Sequence, residues 1–178
     1  MTPTKKYLII AAIVLLLLIS KKVSAEKLIA KFEGIVRDKK NPKRIISYRD
    51  TANVWTIGFG NTKNPYTGEK IKEGDVIDEK TALDWLKKDI EQRQTAIRKL
   101  VKVPITSNQM TAITSLAYNI GLTAFQRSKL LEKLNQKRPI QEVADEFLKY
   151  NKFTKNGVKT FSQGLMNRRI EERKIFLS

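Results

Sequence analysis

Taken as a pattern of apolar and polar positions, the chain divides into an apolar N-terminal block, a few short β-like runs and a succession of amphipathic helical stretches. Tyr7–Ile19 is an unbroken apolar run of thirteen residues. Leu28, Ile29, Phe32 and Ile35 recur at helical spacing, predicting a helix over about Ser24 to Val36 with Gly34 as its stop signal. Ile45–Asp50 and Val54–Phe59 read as β runs joined by a turn at Thr51-Ala52-Asn53. Asn64 to Gly68 is a further turn signal, and Lys70–Val76 suggests a short strand. From Asp78, a helix cap, the pattern predicts a long helix to about Lys102, with Leu83, Leu86, Ile90, Ile97 and Leu100 on one side. Pro104 breaks the run. Thr106 and Gln109 form a capping box that opens a helix through Ile113, Leu116 and Tyr118, ended by Gly121. Thr123 and Gln126 suggest a second capping box before Leu130, Leu131 and Leu134. Pro139 fits the first turn of a helix through Phe147 and Leu148. Residues 151–160 read as a polar, Gly-containing loop, and the last helix is expected over Phe161–Phe176. The expectation is an α+β, mostly helical domain.

Residues 1–25 stand apart from this scheme. Lys5 and Lys6 precede the apolar run, Lys21 and Lys22 follow it, and Val23-Ser24-Ala25 closes it with small residues. A basic start, a short apolar core and a small-residue end are the parts of an export signal. Thirteen helical residues reach only about 20 Å, against the roughly 30 Å of a hydrocarbon layer, so a permanent span is not the expectation. The chain is therefore read as a signal peptide or signal-anchor segment at 1–25, followed by a folded domain at 26–178. Cleavage after Ala25 and retention as a transient anchor are both compatible with it.

Composition narrows the chemistry. With 178 residues, 41% apolar and 30% charged, the chain has the size and balance of one folded domain. Its net charge of +17 favours a polyanionic partner, either nucleic acid or a bacterial envelope. The basic residues are scattered, and no stretch forms a basic helix, a zinc finger or an RNA-binding motif, so nucleic acid is not the expected partner. There is neither Cys nor His. Disulfides, thiol catalysis, the usual nucleophilic triads and the commonest metal ligand are thereby excluded, and acid–base chemistry falls to Asp and Glu.

The stretch from Phe32 to Thr62 holds the candidates. Glu33 and Asp50 are two carboxylates, followed by the hydroxyl of Thr56 and the turn Gly58-Phe59-Gly60. Paired carboxylates suit glycosidic cleavage, in which one protonates the leaving oxygen and the other acts on the opposite face of the sugar. Glu33 falls one turn beyond Ile29, at the edge of the apolar stripe and near the negative helix end. Desolvation and the dipole would both raise its pKa, as suits a general acid. Asp38, in the charged insert Arg37–Arg44, is a rival for the second carboxylate. Thr56 is equally readable as an ordinary strand residue.

Phe32-Glu33-Gly34, Tyr48-Arg49-Asp50 and Trp55-Thr56-Ile57-Gly58-Phe59-Gly60 resemble the phage-type lysozymes, the endolysins of glycoside hydrolase family 24. The family pattern is Glu, eight residues, Asp or Cys, five residues, Thr. Asp50 and Thr56 keep the five-residue gap, whereas sixteen residues separate Glu33 from Asp50, which places eight extra residues in the insert. Where the family often has His after the glycine turn, this chain has Asn61. Gln109–Gly121 is similar to the family's central helix, and Gly164–Glu171 to its C-terminal arginine motif, so the resemblance spans about residues 26–178.

The resemblance implies a two-lobed fold, with a small β lobe and a helical lobe joined by the long helix. It implies a monomeric enzyme, exported to the periplasm or cell wall, that hydrolyses the β-1,4 bond between N-acetylmuramic acid and N-acetylglucosamine in peptidoglycan. Glu33 would be the acid, Asp50 would stabilise the transition state or position water, and Thr56 would hold that water. An arginine of the last motif contacts the catalytic Glu in that family, and Arg168 is the matching candidate; a solvated basic face is the other reading of it. Gln109 and Asn119 are candidates to line the substrate cleft, although helix capping and core polar bonding account for them equally well. No cofactor or metal is implied. A lytic transglycosylase, which cuts the same bond without water and typically lacks the second carboxylate, is a rival. So is a non-catalytic cationic protein that binds wall or membrane through its charge and makes no use of Glu33. Some endolysins of this kind keep an N-terminal segment like residues 1–25 as a signal-anchor that later leaves the membrane.

Overall fold

The computed structural model describes residues 23–50, 52–155 and 157–178. The apolar run Tyr7–Ile19 lies outside them. Among the described residues, no helix is long and apolar enough to cross a membrane.

Helix α1 (Ala25–Phe32) opens on Ser24, whose side chain accepts from the Lys27 amide. It is shorter than its apolar spacing predicts. Glu33 already has extended backbone angles and is the C-cap, its amide donating to Ile29 O at 2.9 Å. Val23 and Ala25 belong to the folded unit: Ala25 is buried, and Thr111 donates to Val23 O at 3.1 Å. The boundary drawn from sequence between residues 25 and 26 thus runs through the first turn of α1.

The β lobe consists of very short antiparallel pairs. Strand β1 (Ile45–Ile46) pairs with β4 (Val76–Ile77), and β2 (Tyr48–Arg49) with β3 (Trp55–Thr56). The expected strand over Lys70–Val76 reduces to a single bridge at Lys70 with Lys63, with regular pairing only at Val76 and Ile77. The insert at 37–44 is a hairpin tip: Asp38 N donates to Arg44 O at 2.9 Å, and Arg37 bridges Ile45.

Helix α2 (Glu79–Leu100) is capped by the Asp78 carboxylate, which accepts from Thr81 N at 2.7 Å. Its inner face carries Ala82, Trp85, Leu86, Ile90 and Ile97. Leu83, assigned from sequence to that face, is 40% exposed. Ala82 holds the buried position one residue earlier, in line with Leu86 and Ile90 at four-residue spacing. Helix α3 (Ser107–Ile120) has the complete Thr106–Gln109 capping box and stops at Gly121.

The second capping box does not form. Thr123 lies inside the short helix α4 (Leu122–Gln126), and α5 (Lys129–Asn135) is capped instead by Ser128, which accepts from Leu131 N at 3.0 Å. Pro139 precedes α6 (Ile140–Asp145), which continues as a 3₁₀ turn, Glu146–Lys149. The stretch read as a loop is a β-hairpin, β5 (Lys152–Lys155) with β6 (Val158–Phe161), and α7 (Gln163–Phe176) follows, capped by Ser162. Its signal in the sequence is the dipeptide Asn-Gly at 156–157, a strong hairpin pattern, and Gly157 has φ +79°.

Two apolar clusters fill the molecule. One joins Ala25 and Ile29 of α1 and the first half of α2 to Ile45, Ile57, Phe59 and Ile71 of the β lobe. The other joins Leu28 and Ile97 to α3 through α7, including Ile113, Leu116, Phe147 and Phe176. Helices α1 and α2 contribute to both clusters and so couple the two lobes.

Candidate active site

Glu33 leaves α1 where that helix passes between the clusters, and its side chain remains 23% exposed. Arg168, one and a half turns into α7, reaches it: Nη1 donates to Glu33 Oε1 at 2.6 Å. The same guanidinium gives Nε to Glu172 Oε1 at 3.1 Å and Nη2 to Ser115 O at 3.1 Å, and it lies 5.5 Å from the Phe32 ring centroid. With its donors spread over three partners and only 3% of its side chain exposed, Arg168 is a fixed cation rather than part of a solvated face. The contact between Glu33 and an arginine of the last motif is the one that the resemblance implied for Arg168.

Beneath Arg168 lies a buried network that the sequence reading missed. Glu172 and Arg169 are fully buried. Arg169 Nε lies 3.1 Å from Glu172 Oε2, its Nη2 donates to Glu172 Oε1 at 3.1 Å, and Ser115 Oγ donates to Glu172 Oε1 at 2.6 Å. Burial pushes the Glu172 carboxyl above its usual value against the pull of Arg169, Arg168 and Ser115. Burial also brings Arg169 down to about 10, so the guanidinium keeps its charge at neutral pH. Two arginines balanced by Glu33 and Glu172 leave the cluster formally neutral. Its sequence signal is present: Arg168 and Arg169 stand four and three residues before Glu172, on one helix face.

The β2–β3 hairpin supplies the second set of groups. Tyr48 pairs with Thr56, and Arg49 with Trp55. Side chains alternate along a strand, so Tyr48, Asp50 and Thr56 share one face. Arg49 stacks on Trp55 at 4.6 Å on the other and donates to Asn53 O at 2.6 Å, stiffening the turn. Asp50 Oδ1 accepts from Ala52 N at 2.9 Å and Val54 N at 2.8 Å. Thr56 is buried, and its hydroxyl donates to Val54 O at 3.1 Å. Burial first, then the charges of Glu33 and Asp50, raise the Tyr48 phenol above its ordinary value.

The glycine turn ties this hairpin to the helices. Gly58 has φ +60°, and a Cβ there would meet Ala82 Cβ of α2 at 3.6 Å, so the position suits glycine on conformational grounds while packing closely. Tyr118 of α3 donates to Phe59 O at 2.6 Å, and Arg93 of α2 stacks on Tyr118 at 4.7 Å.

The remaining candidates lie as follows. Asp38 is engaged within the insert, accepting from Lys40 N at 2.8 Å and lying 3.7 Å from Arg44. Gln109 occupies the first turn of α3, its Oε1 accepting from Thr106 N at 2.9 Å. Asn119 is exposed near the end of α3, its Oδ1 accepting from Arg169 at 3.2 Å. Among the described residues, no cluster of acidic side chains could hold a metal ion.

Comparison with known proteins gives a consistent answer. The family model described as phage lysozyme matches residues 31–172. The endolysin of Acyrthosiphon pisum secondary endosymbiont phage 1 is 38% identical over 151 residues, covering 85% of this chain and 93% of that protein. The SAR-endolysin of Pseudomonas phage phiKMV is 33% identical over 126 residues, covering 71% of this chain and 74% of its own. Among solved structures, the endolysin from Escherichia coli O157:H7 phage FAHEc1 superposes with a TM-score of 0.74 at 34% identity, covering 89% of this chain and 92% of that one. By its sequence from α1 to α7 and by its two-lobed architecture, the chain belongs to the phage lysozyme family.

Proposed function

We propose that this protein is a lysozyme that hydrolyses the β-1,4 bond between N-acetylmuramic acid and N-acetylglucosamine in peptidoglycan, and so lyses bacterial cells. The observation that carries the reading is the Glu33 carboxylate, partly exposed at the lobe boundary and held through one oxygen by Arg168. Glu33 Oε2 is the atom assigned to proton delivery to the glycosidic oxygen. Glu172 offsets the Arg168 charge, so the acid does not face an uncompensated cation. Asp50 spends Oδ1 on two backbone amides, which leaves its other oxygen to a water molecule or to the oxocarbenium-like centre. The Thr56 hydroxyl, which donates its hydrogen bond to Val54 O, accepts from the same water. The second carboxylate favours hydrolysis over the water-free transglycosylase route. A separate water calls for inversion at the anomeric carbon.

Residues 1–25 are assigned to delivery across the inner membrane. Because Ser24 caps α1 and Ala25 is buried, retention of the segment disturbs the domain less than cleavage after Ala25 does. A turbidity assay on bare cell walls, followed by analysis of product ends, tests the reading. Clearing with reducing ends is expected. Anhydro ends would make the protein a transglycosylase, and wall binding without clearing would make it a non-catalytic binder.

A further inference from the structure

Among the described residues, the β5–β6 hairpin is the one pair of strands that contributes nothing to either core. Every residue of β6 is exposed, with Val158 at 65% and Phe161 at 49%, and Phe153 of β5 is 45% exposed. A two-stranded hairpin in water is marginal by itself, and large exposed apolar side chains add nothing to its stability. Its base is nonetheless firmly held. Ser162 N donates to Asn151 O at 2.9 Å, Asn151 Nδ2 donates to Leu148 O at 2.9 Å, and the neighbouring Phe147 is fully buried. A fixed base with exposed aromatics beyond it describes a contact element.

Charge and register identify its partner. From Phe147 to Ile170 the sequence contains no Asp or Glu but has Lys149, Lys152, Lys155 and Lys159, so the hairpin suits a polyanion. Lys152 pairs with Phe161, and Phe153 with Thr160. Side chains of neighbouring residues point to opposite faces, so Phe153 and Phe161 lie on opposite faces of the hairpin. Insertion into a flat membrane surface requires one apolar face, whereas rings on both faces suit a partner that surrounds the hairpin. Position supplies the third constraint. The hairpin runs directly into α7, and Arg168 lies six residues beyond Ser162, or about 9 Å along the helix. A long polymer that lies at Glu33 and extends along α7 toward its N-terminus would meet the base of the hairpin.

We propose that the β5–β6 hairpin is a peptidoglycan-gripping arm. Phe153 and Phe161 pack on sugar faces, and Lys152 and Lys159 pair with the carboxylates of the peptide side chains, holding the wall polymer beside Glu33. The proposal rests on the lysozyme reading for its substrate. The test uses the full-length chain in detergent and compares wild type with Phe153→Ser/Phe161→Ser and, separately, Lys152→Ser/Lys159→Ser. Co-sedimentation with purified wall sacculi should weaken roughly tenfold, corresponding to about 1.4 kcal/mol, in either variant. Hydrolysis of a short soluble oligosaccharide and the melting temperature should remain at the wild-type level. Unchanged sedimentation of both variants, or an equal loss on sacculi and on the short substrate, overturns the arm. A Phe161→Trp chain, read as a difference spectrum against the parent, should shift to the blue with sacculi; a shift with anionic phosphatidylglycerol vesicles alone would assign the hairpin to the membrane instead. If the wild type hydrolyses neither substrate, the lysozyme reading fails, while sedimentation still judges the arm.

Discussion

The two lobes solve the same folding problem differently. The helical lobe packs α3 through α7 around a continuous apolar cluster and encloses the Arg168–Arg169–Glu172 network beside it. The β lobe has strands of two residues each, too short to form a layer of their own, and it borrows Ala82, Trp85, Leu86 and Ile90 from α2 to close its core. The helical lobe thus contributes a rigid cation, and the β lobe contributes a turn whose backbone amides fix a carboxylate. Glu33, at the end of a helix shared by both clusters, takes up the cation that the helical lobe contributes. Stability and chemistry are consequently separable: a change in the helical network should alter both, and a change at the turn should alter chemistry alone.

The strongest break in the comparison is Glu33→Gln. An amide cannot deliver the proton, so clearing of cell walls should fall by about 10²–10⁴-fold with the fold intact. Retention of more than about a tenth of the wild-type rate would remove Glu33 from the role of acid. Next is Glu172→Gln, which leaves two buried arginines sharing one carboxylate. Loss of a buried charge partner costs about 3–5 kcal/mol, to be read from chemical denaturation, and a cost below about 1 kcal/mol would mean that the network is structurally incidental. Activity should fall with it, because Arg168 loses the group that balances it.

Ile57→Ala sharpens the contrast between lobes. Deleting this fully buried side chain should cost about 2–5 kcal/mol. Amide exchange should then accelerate at β2–β3 while α3 stays protected; equal acceleration in both would mean that the lobes unfold as one unit. A smaller effect belongs to the start of α1. A chain beginning at Glu26 should be about 1 kcal/mol less stable than one beginning at Val23, since it lacks the Ser24 cap. Equal melting temperatures would place the true boundary after Ala25.

The smallest effect is an acid one. Burial alone would raise Glu146, but Lys133 and Lys149 outweigh it and hold the carboxyl below 4.5. A lowered folded value stabilises the protein above the unfolded value, and that contribution disappears as pH falls through the folded one. Glu146→Gln should therefore flatten the decline in stability below about pH 4.5, and an unchanged acid limb in a urea titration at several pH values would count against the ion pair.

Where the sequence was legible, the signal was local. The caps at Asp78 and Thr106, the stop at Gly121 and the break at Pro104 each depend on neighbours within four residues, and the structure has them where the pattern put them. Local signals also misled: Thr123 and Gln126 match a capping box by type and spacing, yet Gly121 ends α3 so abruptly that Thr123 is taken into α4 and Ser128 does the capping. Leu83 is exposed although leucine outranks alanine as an apolar residue, because helical spacing puts Ala82, four residues before Leu86, on the buried face.

By itself, then, the sequence determined the kind of chemistry. Without Cys or His, with two carboxylates and a hydroxyl around a glycine turn and a large positive charge, acid–base work by Asp and Glu on an anionic polymer is what the side chains permit. Tertiary structure decided which groups act together. Arg168 meets Glu33 across 135 residues, and Glu172 binds Arg168 out of water. These contacts arise from how α1, α3 and α7 converge, a long-range outcome of burying the two cores, and no spacing between neighbouring residues encodes it.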